Sequence, residues 1–343
     1  EYFIKVKPPK EYFATIKDID SNSNDSKDSD IDQNSLESNT ILLNSNEEYL
    51  DLDIGLFKPA CLGDKVWEDN NLNGIQDEKD TPIKGAKVEL FYSNGEKAVD
   101  IFGNLIKPIF SDENGHYKFC NLLPGRSYKV KITPPLSNYF VTKNDIGSNS
   151  LDNDIGYDLT SLESITLLSG EEYLDLDGGF FRYASLGDYI WLDTNLNGIQ
   201  DKDEFAIVGI KIELLDENKK VLATTYTNKK GRYYFTQLLP GKEYQVKIYP
   251  PKDYIFTKAF ASSFERDSNA NSNGLIEGII LSSGENNLTF DAGLYCECIE
   301  KDGSLELDEQ EDLLPSLDVF NISILVISLI IISAIESKRR RIK

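Results

Sequence analysis

The sequence predicts an all-β protein of tandem β-sandwich repeats, followed by a disordered acidic stem and one transmembrane helix. Three observations support this prediction. The sequence repeats itself at a spacing of 124 residues (Asp69 to Asp193), apolar and polar residues alternate along short segments, and the composition changes abruptly after residue 295. The first two indicate repeated sheet domains, and the third indicates a membrane-anchored end.

The repeat units can be bounded from their matching segments. Leu62–Trp67 returns as Leu186–Trp191. Ile4–Pro9 matches Val130–Pro135, so the chain is expected to begin inside a third copy. We predict the C-terminal half of a truncated repeat at 1–57, full repeats at 61–182 and 185–295, an acidic linker at 296–318, a transmembrane helix at 319–335 and a basic cytoplasmic tail at 336–343.

Each full repeat has the pattern of half-buried strands and no helical period. In the second repeat Ile210, Ile212 and Leu214 alternate with Lys211 and Glu213. Leu-Pro-Gly fits a type II turn, because Pro presets the first central position and Gly supplies the positive φ of the second. About seven strands in roughly 110–120 residues is the size of a β-sandwich. The predicted strands are 186–192, 210–214, 220–227, 232–236, 244–248, 276–281 and 287–293.

Two twelve-residue loops, Asp69–Asp80 and Asp193–Glu204, have the spacing of calcium-binding loops. Oxygen-bearing side chains stand at positions 1, 3, 5, 9 and 12, position 7 can offer its backbone carbonyl, and Gly at position 6 permits a sharp turn. We therefore predict that both loops bind Ca²⁺. The expected metal-binding residues are Asp69, Asn71, Asn73, Ile75, Asp77 and Asp80 in the first loop, and Asp193, Asn195, Asn197, Ile199, Asp201 and Glu204 in the second.

The alternative interpretation of each loop is an ordinary solvated turn, since Asn-Gly is a common tight-turn pair. A turn does not need oxygens at five fixed positions in both repeats, so calcium is favoured. The loops differ at position 12, where Asp80 corresponds to Glu204. Because the shorter Asp chelates bidentately less readily, the first loop is expected to bind calcium more weakly.

The charge balance limits the classes of partner and activity. Lys and Arg number 36 and Asp and Glu number 58, which gives a net charge of -22 and disfavours nucleic acid as a partner. His116 is the single His, Arg232 stands at its place in the second repeat, and no Ser or Cys lies in a nucleophile motif. We therefore expect that the protein is not an enzyme.

Two of the four Cys residues lie in the first full repeat, and the other two directly follow the second. Cys61 and Cys120 have no Cys at the matching positions of the second repeat, so a bridge between them would be private to the first. Cys296 and Cys298 lack enough further ligands for a metal site, and the sequence leaves free, lipid-modified and intermolecular states open.

The chain beyond residue 295 is predicted to anchor the repeats. Acidic residues dominate the linker, which has too few apolar residues to fold alone. Val319–Ile335 is apolar apart from Asn321 and three Ser, and its seventeen residues span about 26 Å as a helix, slightly less than a ~30 Å hydrocarbon core. The basic residues of 338–343 predict that the C-terminus lies inside the cell and the repeats outside.

The motif that opens at Leu62 reads Leu-Gly-Asp-x-[Val/Ile]-Trp-x-Asp-x-Asn-x-Asn-Gly-Ile-Gln-Asp, and Gly-x-Tyr-x-Phe, Leu-Pro-Gly and Asp-x-Gly follow it. Over about residues 1–295 this pattern resembles the B-type repeats of serine-aspartate repeat (Sdr) surface proteins, which belong with the collagen-adhesin B-type domains. The resemblance implies a transthyretin-like (prealbumin-like) sandwich, calcium in the loops and a stalk that presents an N-terminal ligand-binding region.

Many members of that family end in a sortase signal, Leu-Pro-x-Thr-Gly. Here Leu314–Asp318 reads Leu-Pro-Ser-Leu-Asp, which lacks the Thr-Gly bond that a sortase cleaves. We therefore expect a permanent membrane anchor on the extracellular cell surface, with a degenerate cell-wall sorting signal as the other interpretation.

The predicted function is that of a calcium-binding structural stalk, with calcium ions and the membrane as partners. The alternative is an extracellular adhesin whose repeats themselves bind a protein or glycan, and Ala98–Phe110, where the first repeat is longer than the second, is the place to look. In a stalk, the loop Asp69–Asp80 should flank the connector Arg182–Ser185. Calcium is then expected to stiffen that connection.

Overall fold

The computed structural model describes residues 1–17, 28–144, 146, 148, 150–262 and 266–296. Over these ranges the regular elements are strands, and none of the described segments forms a helix of the length and apolarity needed to span a bilayer. The predicted transmembrane helix at 319–335, the tail at 336–343 and the linker from residue 297 onward lie outside the described residues.

The first part of the chain contributes one short ribbon. Strand β1 (Phe13–Ala14) pairs antiparallel with β2 (Leu56–Phe57). Isolated bridges join Tyr2 to Ile41 and Lys5 to Glu37.

Both full repeats are built from strands alone in the described residues. The first contains β3 (Ala60–Glu68), β4 (Thr81–Pro82), β5 (Lys87–Tyr92), β6 (Ile109–Phe110), β7 (His116–Leu122), β8 (Ser127–Thr133), β9 (Phe140–Val141), β10 (Ile165–Thr166), β11 (Glu172–Tyr173) and β12 (Gly178–Phe181). The second contains β13 (Ala184–Leu192), β14 (Phe205–Ala206), β15 (Lys211–Asp216), β16 (Val221–Tyr226), β17 (Arg232–Leu238), β18 (Glu243–Tyr249), β19 (Tyr254–Phe256), β20 (Leu275–Ile280), β21 (Asn286–Asn287) and β22 (Ala292–Cys296).

The two repeats share one arrangement of sheets. In the first, one sheet has the order β10-β8-β5-β6, and the other is organised around β3, which pairs with β4, β7, β11 and β12. In the second, the corresponding orders are β16-β15-β18-β20 and a sheet around β13. The first long strand of each repeat runs parallel to the last, with Val66 beside Gly178 and Ile190 beside Ala292.

The two sheets of each repeat enclose an apolar core, as the alternation of the sequence predicts. Trp67 and Trp191 are fully buried at the ends of the first strands. The core of the first repeat takes Leu62, Val66, Val88, Leu90, Tyr117, Phe119, Val130 and Ile132 from both sheets. The equivalent set in the second repeat is Leu186, Ile190, Ile212, Leu214, Tyr233, Phe235, Val246 and Ile248. The prediction of an all-β sandwich is confirmed.

One predicted strand is wrong in its bounds. The segment 287–293 belongs to two separate strands, because β21 ends at Asn287 and β22 begins at Ala292. Between them Asp291 is fully buried, and its Oδ1 accepts a hydrogen bond from the Tyr189 backbone N–H at 3.0 Å. A hydrogen bond from the Tyr189 backbone to the Asp291 side chain therefore replaces the backbone pairing that a continuous strand over 287–293 would make.

The structure settles one of the Cys pairs that the sequence left open. Cys61 on β3 and Cys120 on β7 form a disulfide, with Cα atoms 4.2 Å apart. Cys296 is also disulfide-bonded, and Cys298 lies outside the described residues.

Candidate metal centre

Both predicted calcium loops start where the first long strand of a repeat ends. Asp69 follows β3 and Asp193 follows β13, and both residues are buried. Their backbone N–H groups donate to the last strand of the same repeat, to the carbonyl of Phe180 at 2.7 Å and of Leu294 at 2.8 Å. The first residue of each loop is therefore fixed by the sheet.

The first carboxylate of each loop organises the turn that follows it. Asp69 Oδ2 accepts the Gly74 N–H at 2.8 Å, and it also accepts the hydroxyl of Thr142. Asp193 Oδ2 accepts the Gly198 N–H at 2.8 Å and the hydroxyl of Thr257. These bonds curl positions 1 to 6 around the carboxylate.

Glycine is required at position 6 for two reasons. Gly74 has φ +86° and Gly198 has φ +76°, and residues other than Gly rarely adopt this region. A Cβ on Gly198 would also lie 2.5 Å from the carbonyl oxygen of Lys258, and one on Gly74 would lie 2.8 Å from Lys143 Cβ. The turn that the sequence motif predicts is confirmed in both loops.

Positions 3, 5 and 9 converge on one point in each loop. The amide groups of Asn71 and Asn73 donate to Asp77 Oδ2 at 2.8 and 3.1 Å. In the second loop the two Asn amides donate to Oδ2 of the Asp at position 9 at 2.8 Å each; these residues are Asn195, Asn197 and Asp201. A half-turn of each amide would present its oxygen in place of its nitrogen to the same point.

Position 12 closes each loop with a carboxylate. Asp80 accepts the N–H groups of Asn70 and Asp77 at 2.8 and 2.9 Å. Glu204 accepts the equivalent groups of Thr194 and Asp201 at 2.8 and 2.9 Å. The Asp and the Glu therefore make the same closure, and the weaker calcium binding expected of the first loop stays a prediction.

The carboxylates of the first loop repel one another. Burial raises the pKa of Asp80 to about 6, and the charges of Asp69 and Asp77 add to that rise. The pKa of Asp77 is lowered, first by the Lys79 backbone N–H and then by the amides of Asn71 and Asn73. A cation among these oxygens would relieve the repulsion and favour the charged forms.

The donor set determines which ion fits. Throughout the described ranges, no three His, Cys, Asp or Glu side chains come close enough together to hold a metal by themselves. The Asn oxygens and the carbonyls of Ile75 and Ile199 would have to complete each site. Neutral and charged oxygens on a pliable loop suit Ca²⁺, which takes six to eight oxygen ligands, better than the stricter octahedron of Mg²⁺.

The sequence model of one known family matches both full repeats. The SdrD B-like domain matches residues 60–180 and again 184–294. The chain belongs to the SdrD B-like domain family.

Two curated relatives show how far this SdrD B-like similarity extends. Serine-aspartate repeat-containing protein D of Staphylococcus aureus (strain Newman) is 36% identical over 269 residues, which are 78% of this chain and 19% of that protein. Serine-aspartate repeat-containing protein F of Staphylococcus epidermidis is 35% identical over 262 residues, 76% of this chain and 14% of that protein. The chain thus spans less than a fifth of the length of these relatives.

Among solved structures, GBS52, the minor pilin of Streptococcus agalactiae, overlaps with 76% of this chain and 99% of its own, at 10% identity and a TM-score of 0.24. The strand pairing within each SdrD B-like repeat defines its two-sheet architecture.

Sequence reasoning missed the two hydroxyl groups that hold position 1. Thr142 and Thr257 lie more than sixty residues after the carboxylates they contact. A signal was present, since a Thr-Lys pair follows an apolar pair at both places, Thr142-Lys143 and Thr257-Lys258. Only the comparison of the two SdrD B-like repeats makes that pair visible.

Away from the loops, a carboxylate on the first strand of each repeat lies near one that directly precedes the last strand; the pairs are Asp64 with Asp177 and Asp188 with Asp291. Burial, and next the charge of Asp64, raise the pKa of Asp177 to about 9. Burial and the neighbouring Asp188 likewise raise the pKa of Asp291 to about 8. Each pair therefore holds a proton at neutral pH, and it does so inside the sandwich near its last strand.

Proposed function

We propose that this chain is a calcium-binding structural stalk of a bacterial cell-surface protein, in which calcium stiffens the connection between neighbouring repeats. One observation carries the proposal. The first loop touches the second repeat at a position where the loop backbone itself forms the contact surface. We call the region around the connector Arg182–Ser185 the junction.

The contact at the junction is made by position 3 of the first loop. A Cβ on Gly241 would lie 1.9 Å from the carbonyl oxygen of Asn71, so the two backbones are packed directly against each other. Gly241 belongs to the Leu-Pro-Gly turn of the second repeat and has φ +68°. Because Asn71 is also an expected calcium ligand, an ion would order the surface on which the second repeat rests.

An ion pair with a buried carboxylate ties the end of β3 to the connector and to the second repeat. Glu68, which immediately precedes the loop, is 5% exposed. Its two oxygens accept bonds from Arg182 Nε at 2.9 Å and Nη2 at 3.1 Å. The hydroxyl of Ser283 donates to Glu68 at 2.5 Å, and that of Tyr139 at 3.1 Å. An Arg–carboxylate pair is held in one geometry when it is bidentate and the carboxylate also accepts further hydrogen bonds.

The connector is held along its length. The Arg182 N–H donates to Ser283 Oγ at 2.7 Å, and the Gly284 N–H donates to the carbonyl of Arg182 at 3.1 Å. Around it, the rings of Phe181 and Tyr183 pack against Phe140 with centroids 5.8 and 4.9 Å from it. A connector this short, with its backbone hydrogen-bonded to the second repeat, does not act as a flexible coil.

The same connector pattern occurs before the first full repeat. The Lys58 N–H donates to Ser169 Oγ at 2.9 Å, and the Gly170 N–H donates to the Lys58 carbonyl at 3.0 Å. A Ser-Gly turn thus receives the incoming chain in both repeats. This recurrence supports a stalk in which successive repeats attach in the same way.

The longer segment of the first repeat, which the adhesin alternative names as a candidate binding surface, also contacts the part of the chain that precedes this repeat. In Ala98–Phe110, the ring of Phe102 packs edge-on against Phe13 of the preceding unit, with centroids 5.9 Å apart. Phe13 in turn lies 6.0 Å from Phe57. These contacts favour a structural role for the insertion over a private ligand site.

Distance measurements between the repeats test the proposal. Spin labels at exposed turns, introduced by Asn94→Cys and Asn218→Cys in the full chain, report the separation of the two repeats. We expect a narrow distance distribution in calcium and a broad one in chelator. Bound calcium, shown by titration calorimetry, together with identical distributions in both conditions would refute the stiffening role. Absence of calcium binding would refute the ion itself.

A further inference from the structure

One strand of the second repeat has an open edge. Strand β16 lies at the end of the sheet β16-β15-β18-β20, and in the described residues it pairs only with β15. Its sequence, Val-Leu-Ala-Thr-Thr-Tyr, contains no charged residue, no Pro and no Gly. An uncharged edge of β-favouring residues is a template for an additional strand.

The backbone groups of this edge can be assigned from the ladder. The Thr227 N–H donates to the Ile210 carbonyl at 3.0 Å, so Thr227 faces β15. Since successive residues of an antiparallel strand alternate, Thr225 also faces β15, and Thr224 and Tyr226 direct their N–H and C=O groups away from the sheet. Tyr226 is 59% exposed. A β-bulge limits the regular part of the edge at its Leu222 end.

The other edges of these sheets are protected. Strand β20 carries Glu277, and Gly278 with φ +72° lies where its pairing with β18 shifts register. In the first repeat the edge strands β6 and β10 have only two residues each. The insertion starts beside β5 with a bridge from Phe91 to Lys97 and folds on itself with a bridge from Val99 to Leu105. Strand β16 is longer, its bulge lies only at the Leu222 end, and no described strand pairs with the outer edge of residues 223–226.

Two pairs of Lys residues flank β16 in the sequence. Lys219-Lys220 precede the strand and Lys229-Lys230 follow it, and all four are exposed. Among the described residues, only Lys219 of these four has an acidic side chain within ion-pair distance, Glu277 at 3.9 Å. The chain, whose net charge is -22, therefore presents an uncharged strand with a Lys pair at each end, and the first of these pairs follows Asp216 and Glu217.

We propose that β16 is a docking edge for an extended acidic segment of a partner protein, which adds to the sheet as a further strand. Main-chain hydrogen bonds to Thr224 and Tyr226 would provide the pairing, and the Lys pairs would select Asp or Glu at both ends of the segment. A second copy of β16 does not fit, because antiparallel pairing would bring Lys219-Lys220 of one copy beside Lys229-Lys230 of the other.

A synthetic peptide tests this edge on the full chain in calcium. The probe is a fluorescent nonapeptide of alternating Val and Thr with two Asp at each end, and its binding is followed by fluorescence anisotropy. We expect saturable binding that weakens with salt, and at least tenfold weaker binding of the same peptide flanked by Lys. No binding of the Asp-flanked probe, or equal binding of the two peptides, would overturn the proposal.

Two variants separate strand addition from simple charge attraction. Thr224→Pro removes an N–H that faces the open edge, where a sheet tolerates Pro, and should lower probe affinity at least tenfold. The matched Thr224→Val variant keeps the N–H and should bind as the parent does. Equal affinities of these two variants would contradict strand addition.

If Thr224→Pro does not fold, the charge-reversed variant Lys219→Glu, Lys220→Glu, Lys229→Glu and Lys230→Glu carries the test. It should lose the Asp-flanked probe and gain the Lys-flanked one. Unchanged preference, or dimers of the parent chain held by this edge in sedimentation, would overturn the proposal.

Discussion

The two loops that are predicted to bind calcium have nearly the same internal hydrogen bonds but different surroundings. Each closes with the same bonds from position 1 to position 6 and from positions 3 and 5 to position 9. Yet Asn71 packs against Gly241 of the next repeat, whereas its counterpart in the second loop, Asn195, is exposed. The residue before the loop also changes, from Glu68 to Leu192. The repeat fixes how an ion is held, and the neighbours decide what that ion can control.

Calcium removal is expected to have the largest effect on this comparison. At a calcium concentration 100-fold above Kd, each site should stabilise its repeat by about 2.7 kcal/mol, because the ion binds the folded loop only. Thermal melts of the full chain in calcium and in chelator measure the loss. The double variant Asp193→Ala and Asp201→Ala should remove one of the two bound ions and leave the first loop intact.

Equal melting temperatures in calcium and chelator would contradict calcium as a stabilising ligand. So would a double variant that still binds as many ions as the parent. The matched control is Asn94→Ala, an exposed turn substitution that touches neither loop.

The junction should respond next, and only on the side of the first loop. Replacing Glu68 by Gln weakens two charge-assisted bonds to Arg182, and we expect a loss of about 1–3 kcal/mol together with a broader distance distribution between the repeats. Leu192→Gln is the matched control at the same place of the second repeat. It should leave that distribution unchanged.

A double-mutant cycle shows whether the pair itself is responsible. Arg182→Met alone should broaden the distribution as Glu68→Gln does, and the two together should add little more. Full additivity of their effects would show that Glu68 and Arg182 act separately, and the buried pair would then not be the tie between repeats.

The sequence predicted the turn of each loop and the place of the first loop beside the next repeat, but it did not predict the ion pair at the junction, and the reason is physical. Gly74 and Gly198 are needed by the local backbone, so their role is visible in twelve consecutive residues. Glu68, by contrast, acts through Ser283, 215 residues away, and nothing in its own surroundings indicates that partner. Local constraints leave a pattern in the sequence, whereas contacts between repeats depend on how the chain returns in space.

Strand prediction divides in the same way. The alternation around Ile212 and Leu214 identifies β15, because both side chains lie in the core, although Glu213 and Leu215 on the other face are buried as well. It fails at 287–293, where burial of Asp291 replaces a ladder pair by a side-chain bond. The sequence also did not reveal the open edge of β16, since only the sheet order shows that, in the described part of the chain, its outer edge pairs with no other strand.

Asp291→Asn tests the buried acid pair, which is common to both repeats and independent of the junction. Folding raises the pKa of Asp291 from 3.8 to about 8, so the folded state binds more protons than the unfolded state between those values. Stability from this group is then full below about pH 4 and falls as pH rises toward 8. The variant should be more stable than the parent at pH 7 by up to about 4 kcal/mol, since one pKa unit is worth about 1.4 kcal/mol, with Asp188 bearing the remaining charge.

Denaturant unfolding at pH 4 and pH 7, at one fixed calcium concentration, measures this effect. The two proteins should be nearly equal at pH 4 and diverge at pH 7. Asp177→Asn should behave likewise in the first repeat, with the divergence extending toward pH 9. A variant less stable than the parent at pH 7 would show that the carboxylate form of Asp291 is the one the fold needs.

The smallest expected effect separates the two loops by one methylene at position 12. Glu204 is long enough to offer both oxygens to an ion without drawing the loop inward, whereas Asp80 is not, so the second loop should bind calcium more tightly. Exchanging the two residues, as Asp80→Glu and Glu204→Asp in separate variants, should raise the affinity of the first loop and lower that of the second by about tenfold, or ~1.4 kcal/mol. Titration calorimetry of each variant assigns the change to one of two sites. Because Asn71 touches Gly241, part of the gain at the first loop depends on the junction, so Asp80→Glu should raise the affinity less when combined with Glu68→Gln. An equal gain with and without Glu68 would mean that the first loop binds its ion independently of the repeat beside it.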